Sequence, residues 1–244
     1  MRWNLLLAAA VLLARPALAD DSIHDLAPIA THAQEGASAV LEGTAPAEAF
    51  EPWTAGETKG LDGAKSAGAA GAVFFGMEFE ILFKKEGKDV YMLRTFVHAS
   101  GEEVAFLGIE GRAMDAPASV TFHALDSLGG DAAGLAGSAR ALVAALRAGG
   151  EVPIADGKAL ASNPAFAPMA EALEKGVEKT KAEYPEVQKT VAGLAYDEIQ
   201  VRVDDLTLFG VDEGGKGVGM LGGSIDVSGG GIEVEFAKYR ALGK

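Results

Sequence analysis

The chain contains no cysteine among its 244 residues. This absence excludes disulfide bonds, thiolate nucleophiles, and zinc or iron–sulfur sites with cysteine ligands. It also excludes a lipid anchor attached to cysteine. The fold must therefore be stabilised by apolar burial, which a chain of this length can supply without crosslinks.

Positive charge is scarce, because 21 lysine and arginine residues stand against 35 acidic residues, giving a net charge of −14. Proteins that bind nucleic acids or anionic membranes need a cationic surface that displaces counterions. We therefore expect no nucleic-acid partner. The charge favours cationic partners, divalent cations or simply a well-solvated exterior.

Long apolar runs are lacking except near the N-terminus, at residues 5–14. This run follows Arg2 and precedes an Ala-Leu-Ala cleavage signature at residues 17–19. It is too short to cross a bilayer, which takes about 20 residues. The pattern predicts a cleaved signal peptide, residues 1–19, and a soluble exported protein, periplasmic or secreted. Because the peptide carries two arginines and no acid, cleavage would change the net charge from −14 to −16. We expect no transmembrane segment in the mature chain.

Short catalytic and metal-binding motifs are also lacking. The sequence has no GxSxG, HExxH or DxDxDG. Residues 217–222 spell GxGxxG, but a strand-like pattern follows them, whereas a dinucleotide site requires a helix there. These glycines are interpreted as closely packed or bulged strand positions. We predict no cofactor and no metal site, since no close ligand pair occurs among the four histidines, His24, His32, His98 and His123.

Two acidic residues offer a catalytic alternative. Glu78 and Glu80 are two strand positions apart, about 7 Å. Glycoside hydrolysis uses paired carboxylates separated by about 5 to 9.5 Å, but these must flank a sugar in a cleft. Two neighbours on one solvated strand face usually do not. Whether the chain is an enzyme is left open; we favour a non-enzyme, with an envelope hydrolase as the alternative.

The clearest pattern that is present is the alternation of apolar residues over residues 73–83, typical of a strand with one buried face. Short turns separate it from later strand patterns, so an antiparallel meander is predicted. A phase change near residues 204–205 indicates a bulge in one C-terminal strand. The further strands are predicted over residues 90–98, 104–111, 119–125, 199–211, 218–227 and 232–236.

Helical spacing of apolar residues predicts one helix that begins at residue 22 and ends at Gly43, and another over residues 131–148. A third is predicted to begin with Asn163 as its N-cap and to break at Pro185, with a short successor. Residues 44–70 are predicted to be a long irregular connection, with Phe50 and Trp53 as anchors.

These elements predict an α+β fold, in which an antiparallel sheet, made of the meander and the C-terminal strands, packs against amphipathic helices. Residues 71–244 are expected to form one α+β domain. Residues 20–70, the N-terminal helix and irregular connection, are expected to pack on it. Whether the strands form one sheet or a closed wall is left open.

The aromatic residues of the predicted sheet suggest a function. Alternation places them on one face, which can close as a solid core or leave a cavity for an apolar ligand. We therefore prefer a non-enzymatic exported binding protein whose partner is an apolar small molecule, a lipid or another protein. A structural or inhibitory interaction module, with contact loops at residues 44–70 and 228–231, is a further alternative. The candidate ligand-binding residues are Phe75, Phe79, Phe83, Phe96, Phe106 and Phe122.

Overall fold

The computed structural model describes residues 26–46, 59–100, 103–114, 132–228 and 231–242. These residues include six strands: β1 Gly71–Lys85, β2 Lys88–Ser100, β3 Glu103–Ala113, β4 Glu198–Val211, β5 Gly217–Ser228 and β6 Gly231–Ala241. They form one antiparallel sheet in the order β3-β2-β1-β4-β5-β6. The two predicted strand groups are thus two meanders joined where β1 pairs with β4. The predicted strand at residues 119–125 lies outside the described residues.

Five α-helices accompany the sheet in the described part of the chain: α1 Leu26–Glu42, α2 Lys59–Ser66, α3 Ala132–Ala148, α4 Gly157–Ser162 and α5 Ala170–Gly193. A 3-10 turn, Ala167–Met169, precedes α5. The α+β fold with an antiparallel sheet packed against helices is confirmed. None of the described helices combines the length and apolarity needed to span a membrane.

The two faces of the sheet carry different clusters. The larger cluster contains the buried side chains of α1, α3 and the last turns of α5, packed against residues such as Met77 and Ile81 of β1. We call this side the core face. The opposite side, which we call the groove face, carries a smaller cluster around Phe166 and Phe209.

Helix α5 connects these two faces. Leu173, near its start, belongs to the smaller cluster, whereas Val187 and Val191, near its end, belong to the larger one. The helix contacts β3 on the way, where the Thr180 hydroxyl donates to the Leu107 carbonyl at 3.4 Å. The edge of β3 is also paired at Phe106, whose N–H donates to the carbonyl of Pro153.

Three predictions about helices were wrong. Pro185 does not end α5. The residue is exposed, so solvent can satisfy the one carbonyl that its missing N–H leaves without a partner. Beyond it, Val187 and Val191 continue the buried stripe of the helix. Asn163 does not cap this helix. Its side chain instead accepts from the Ala165 N–H at 2.9 Å in the turn after α4. Residues 44–70 are not wholly irregular, since they include α2; Phe50 and Trp53 lie outside the described residues.

Two irregularities in the β1–β4 pairing set the direction of the side chains. The register shifts between Glu78 and Phe79, where the partner changes from Asp205 to Val203, which confirms the bulge predicted near residues 204–205. A second shift, between Phe74 and Gly76, was not predicted. It inserts Phe75 as an extra residue and reverses the alternation on either side of it.

The glycines of the GxGxxG stretch lie inside strand β5, as predicted. A Cβ atom on Gly219 would lie 2.2 Å from Cε2 of Tyr239, and one on Gly217 would lie 2.4 Å from the carbonyl oxygen of Ala165. Only glycine fits such close approaches. The stretch therefore serves packing in the sheet.

Candidate functional site

The predicted aromatic site is divided between the two faces of the sheet. Phe79, Phe83 and Phe106 lie on the core face, each at most 2 % exposed. The Phe83 ring packs edge-on against Tyr91 and Tyr196, with centroids 5.8 and 5.0 Å away. These three phenylalanines fill a close-packed core. Phe122 lies outside the described residues.

Phe75 and Phe96 lie on the groove face, so the prediction that they share a face with Phe79 and Phe83 was wrong. For Phe75 the physical reason is its bulge, because one inserted residue reverses which side its neighbours face. Phe96 pairs with Glu78, a groove-face residue, so the β1–β2 register places Phe96 on that side. The Phe75 ring contacts those of Phe209 and Phe166, with centroids 5.2 and 5.8 Å away.

A cavity of about 290 Å³ lies between the first half of α5 and strands β1 to β3 on this face. We call it the α5 groove. The charged residues that line it within the described ranges are Glu110, Lys179 and Glu183. Most of its surface is hydrocarbon, contributed by Phe75, Phe96, Leu107, Met169, Leu173 and Val177.

Glycines on both walls leave the space of the α5 groove unfilled. A Cβ atom on Gly176, in α5, would meet no heavy atom within 4 Å. On the strand side, the nearest contact of a Cβ on Gly108 would be the Phe96 ring, 3.5 Å away. Phe96 is 39 % exposed and is the one large hydrophobic side chain classed as exposed within the described ranges. The groove thus presents apolar surface that the described residues leave uncovered.

The two glutamates of the hydrolase alternative also lie on the groove face, but both contact Arg94. Its Nε lies 2.7 Å from Glu78 Oε1, and its Nη2 lies 2.7 Å from Glu80 Oε1. Arg202 Nη1 is 3.6 Å from the other oxygen of Glu80, which is 2 % exposed. The hydrogen bond to Glu80, supported by the charges of Glu78 and nearby Glu110, raises the pKa of Arg94.

This geometry is that of a structural ion-pair network. Glycoside hydrolysis requires a carboxylic acid and a carboxylate on opposite sides of a substrate. Glu78 and Glu80 instead share one guanidinium, and Glu80 has almost no surface that a substrate could reach. The network speaks against these two residues as an acid and base pair.

The histidines form no site in the described part of the chain, where no group of three or more histidine, aspartate and glutamate residues could hold a metal ion. His98 stacks on Phe74, with ring centroids 5.8 Å apart, and burial lowers its pKa. His32 lies in α1, far along the sequence from His98. His24 and His123 lie outside the described residues.

Comparison of the chain with protein-family models, curated proteins and solved structures found no match. The candidate site therefore depends on geometry alone. Sequence reasoning named Phe75 and Phe96 as site residues but not Met169, Leu173 and Val177, which also line the groove. Gly176, a glycine in the interior of the predicted helix, was the available signal for a gap beside that helix.

Proposed function

We propose that this protein is an exported, non-enzymatic binding protein that holds a small apolar molecule in the α5 groove. The observation that carries the proposal is the uncovered apolar surface of the groove, with Phe96 at 39 % exposure beside a cavity of about 290 Å³. Binding sites for small molecules are mostly apolar concavities of about 300 to 1,000 Å³. A cavity at the lower end of that range suits one or two fused rings or a short alkyl chain.

The walls of the groove support binding by a preformed site. Leu173 and Val177 on the helix side are buried, and the Thr180 hydroxyl ties α5 to the Leu107 carbonyl of β3. A ligand would therefore enter a space whose walls are already ordered, which lowers the entropic cost of binding. Export is supported by the signal-peptide pattern of residues 1–19.

Fluorescence titration with N-phenyl-1-naphthylamine, a neutral probe with a naphthyl and a phenyl group, tests the proposal. We expect saturable enhancement with the purified protein and loss of that signal in Gly176→Leu, whose new side chain would occupy the groove. Gly193→Leu is the matched control. A Cβ atom on Gly193 would also meet no heavy atom within 4 Å, and this residue lies in the same helix outside the groove. The control should bind as the unaltered protein does.

Two outcomes would overturn the proposal. One is the absence of saturable binding in a protein that circular dichroism shows to be folded. The other is equal binding by the Gly176→Leu and Gly193→Leu variants, since the probe would then occupy some other surface.

A further inference from the structure

We infer that the ligand of the α5 groove is an apolar cation, with its hydrocarbon part in the groove and a protonated amine or quaternary ammonium group near Glu110. This inference rests on the proposed function and adds the chemical class of the ligand. Three features of the structure carry it: the charges at the groove, the aromatic ring beside them and the net charge of the chain.

Among the described residues, the charged side chains lining the groove are two carboxylates and one ammonium group, namely Glu110, Glu183 and Lys179. Lys179 Nζ lies 3.9 Å from Glu183 Oε1, one helical turn away, so these two charges largely offset each other. Glu110 contributes the remaining negative charge. Its register partner on β2 is Arg94, whose single positive charge is shared among three carboxylates, because the guanidinium contacts Glu78 and Glu80 at 2.7 Å and also interacts with Glu110.

An aromatic ring lies next to this carboxylate position. Phe96 is the register partner of Gly108, which is two residues from Glu110 on the same strand face, about 7 Å along the strand. The absence of a side chain at Gly108 leaves the Phe96 ring accessible from the groove. A partly exposed ring near a carboxylate is suited to an ammonium group, because the ring face and the carboxylate both attract positive charge.

The net charge of the whole chain also favours a cationic ligand. A net charge of −14 attracts cations toward the protein and repels anionic amphiphiles such as fatty acids. Lys179 is the one cationic side chain that lines the groove in the described part of the chain and could hold an anionic head, but Glu183 competes for it. The structure thus favours a cationic ligand over an anionic one of the same shape.

Three naphthalene compounds that differ in head group test the inference: 2-naphthylmethylamine, neutral 2-methylnaphthalene and anionic 2-naphthylacetate. Each would be titrated against bound N-phenyl-1-naphthylamine at neutral pH and at two salt concentrations. We expect the amine to bind about fivefold more tightly than the neutral compound at low salt, and less so at high salt. The acetate should bind most weakly.

The variant Glu110→Gln locates the head group. We expect it to remove most of the amine's advantage while leaving the affinity for 2-methylnaphthalene unchanged. Glu171→Gln is the control, because Glu171 is an exposed carboxylate in α5 outside the groove. It should retain the advantage.

The outcomes separate the inference from the proposed function. If no naphthalene compound displaces the probe, and the probe itself does not bind, the proposed function fails. If the neutral compound binds but the acetate equals or exceeds the amine, only the inference fails. An amine advantage that survives in Glu110→Gln would also overturn it, since general attraction by the acidic protein would then explain the preference.

Discussion

Arg94 and Glu80 lie directly opposite each other on β2 and β1, and the Arg94 Nη2 and Nε atoms donate to the same Glu80 oxygen at 2.7 and 2.9 Å. Glu80 is 2 % exposed, whereas the Arg94 side chain is 38 % exposed. The buried carboxylate therefore depends on a partner that reaches in from the surface. Removing that partner would leave the negative charge of Glu80, in a site that water scarcely enters, with only the more distant Arg202 at 3.6 Å.

The Arg94→Met substitution is expected to destabilise the fold by about 3 kcal/mol, because it removes both short contacts of the buried Glu80 carboxylate and leaves it only the longer 3.6 Å contact with Arg202. Urea unfolding followed by circular dichroism would measure the change. Lys189→Met is the control, since Lys189 pairs with Glu186 at 3.9 Å on the exposed side of α5 and such pairs contribute less than about 1 kcal/mol. Equal losses in the two variants would show that the Arg94 network has no structural role.

A second prediction concerns Gly219, where the Tyr239 ring occupies the space that a Cβ atom would need. Gly219→Ala is expected to lower the free energy of unfolding by about 2 kcal/mol, because the ring and strand β6 would have to shift. Gly222→Ala is the matched control in the same strand, since its nearest contact would be the Lys238 Cβ at an ordinary 3.4 Å. A Gly219→Ala protein as stable as the Gly222→Ala protein would contradict the packing role of the GxGxxG glycines.

The sequence predicted most strands and the α+β class because one-sided burial imposes a period of two on the apolar residues. The bulge near residues 204–205 was visible for the same reason. Val201 and Val203 alternate in one phase, while Leu206 and Leu208 alternate in the other, so an extra residue must lie between them.

The bulge at Phe75 left no such trace. Phe74 and Phe75 are both aromatic, so either one could face the core, and the apolar pattern of residues 73–83 can be followed in one phase throughout. The choice is made by tertiary packing, because Phe75 completes a three-ring cluster with Phe166 and Phe209 from distant parts of the chain. Local periodicity carries no information about those partners.

The candidate site was predictable only in part for a related reason. Phe96 could be recognised as an aromatic strand residue, but its exposure depends on the route of α5 past strand β3. The sequence shows which residues form the apolar stripe of the helix, but it does not show which face of the sheet that stripe covers. Since Pro185 was predicted to break α5, the continuous passage of this helix from one face to the other was missed.

A third prediction tests how much stability the fold loses by having glycine at position 176 beside the groove. Gly176→Ala is expected to stabilise the fold by about 1 kcal/mol, because a glycine in the interior of a helix is less favourable than alanine and the new methyl group would meet no neighbouring atom. Thermal and urea unfolding would measure the gain. Gly193→Ala, at the last residue of α5, should gain much less, since that position contributes little to the helix interior.

The opposite result would be informative about the helix. A destabilised Gly176→Ala protein would show that α5 packs more closely on β3 than a gap at Gly176 allows. The α5 groove would then be too narrow for the proposed ligand.

The last prediction concerns pH and His98. Burial beside Phe74 lowers the pKa of His98 from its ordinary value of 6.5, so the folded protein binds a proton there less readily than the unfolded chain. Stability from this residue is therefore fully present above pH 6.5 and decreases as the pH falls below 6.5, until the folded-state pKa is reached.

Urea unfolding between pH 7.5 and about pH 5 would measure this dependence, with His98→Phe as the comparison. The phenylalanine can stack on Phe74 as the imidazole ring does but cannot take up a proton, so the variant should lose less stability than the unaltered protein over this range. Carboxylates that titrate at the acidic end affect both proteins, and the difference between the two curves isolates His98. Parallel curves would show that His98 titrates alike in the folded and unfolded chains, and a steeper loss in His98→Phe would reverse the expected sign.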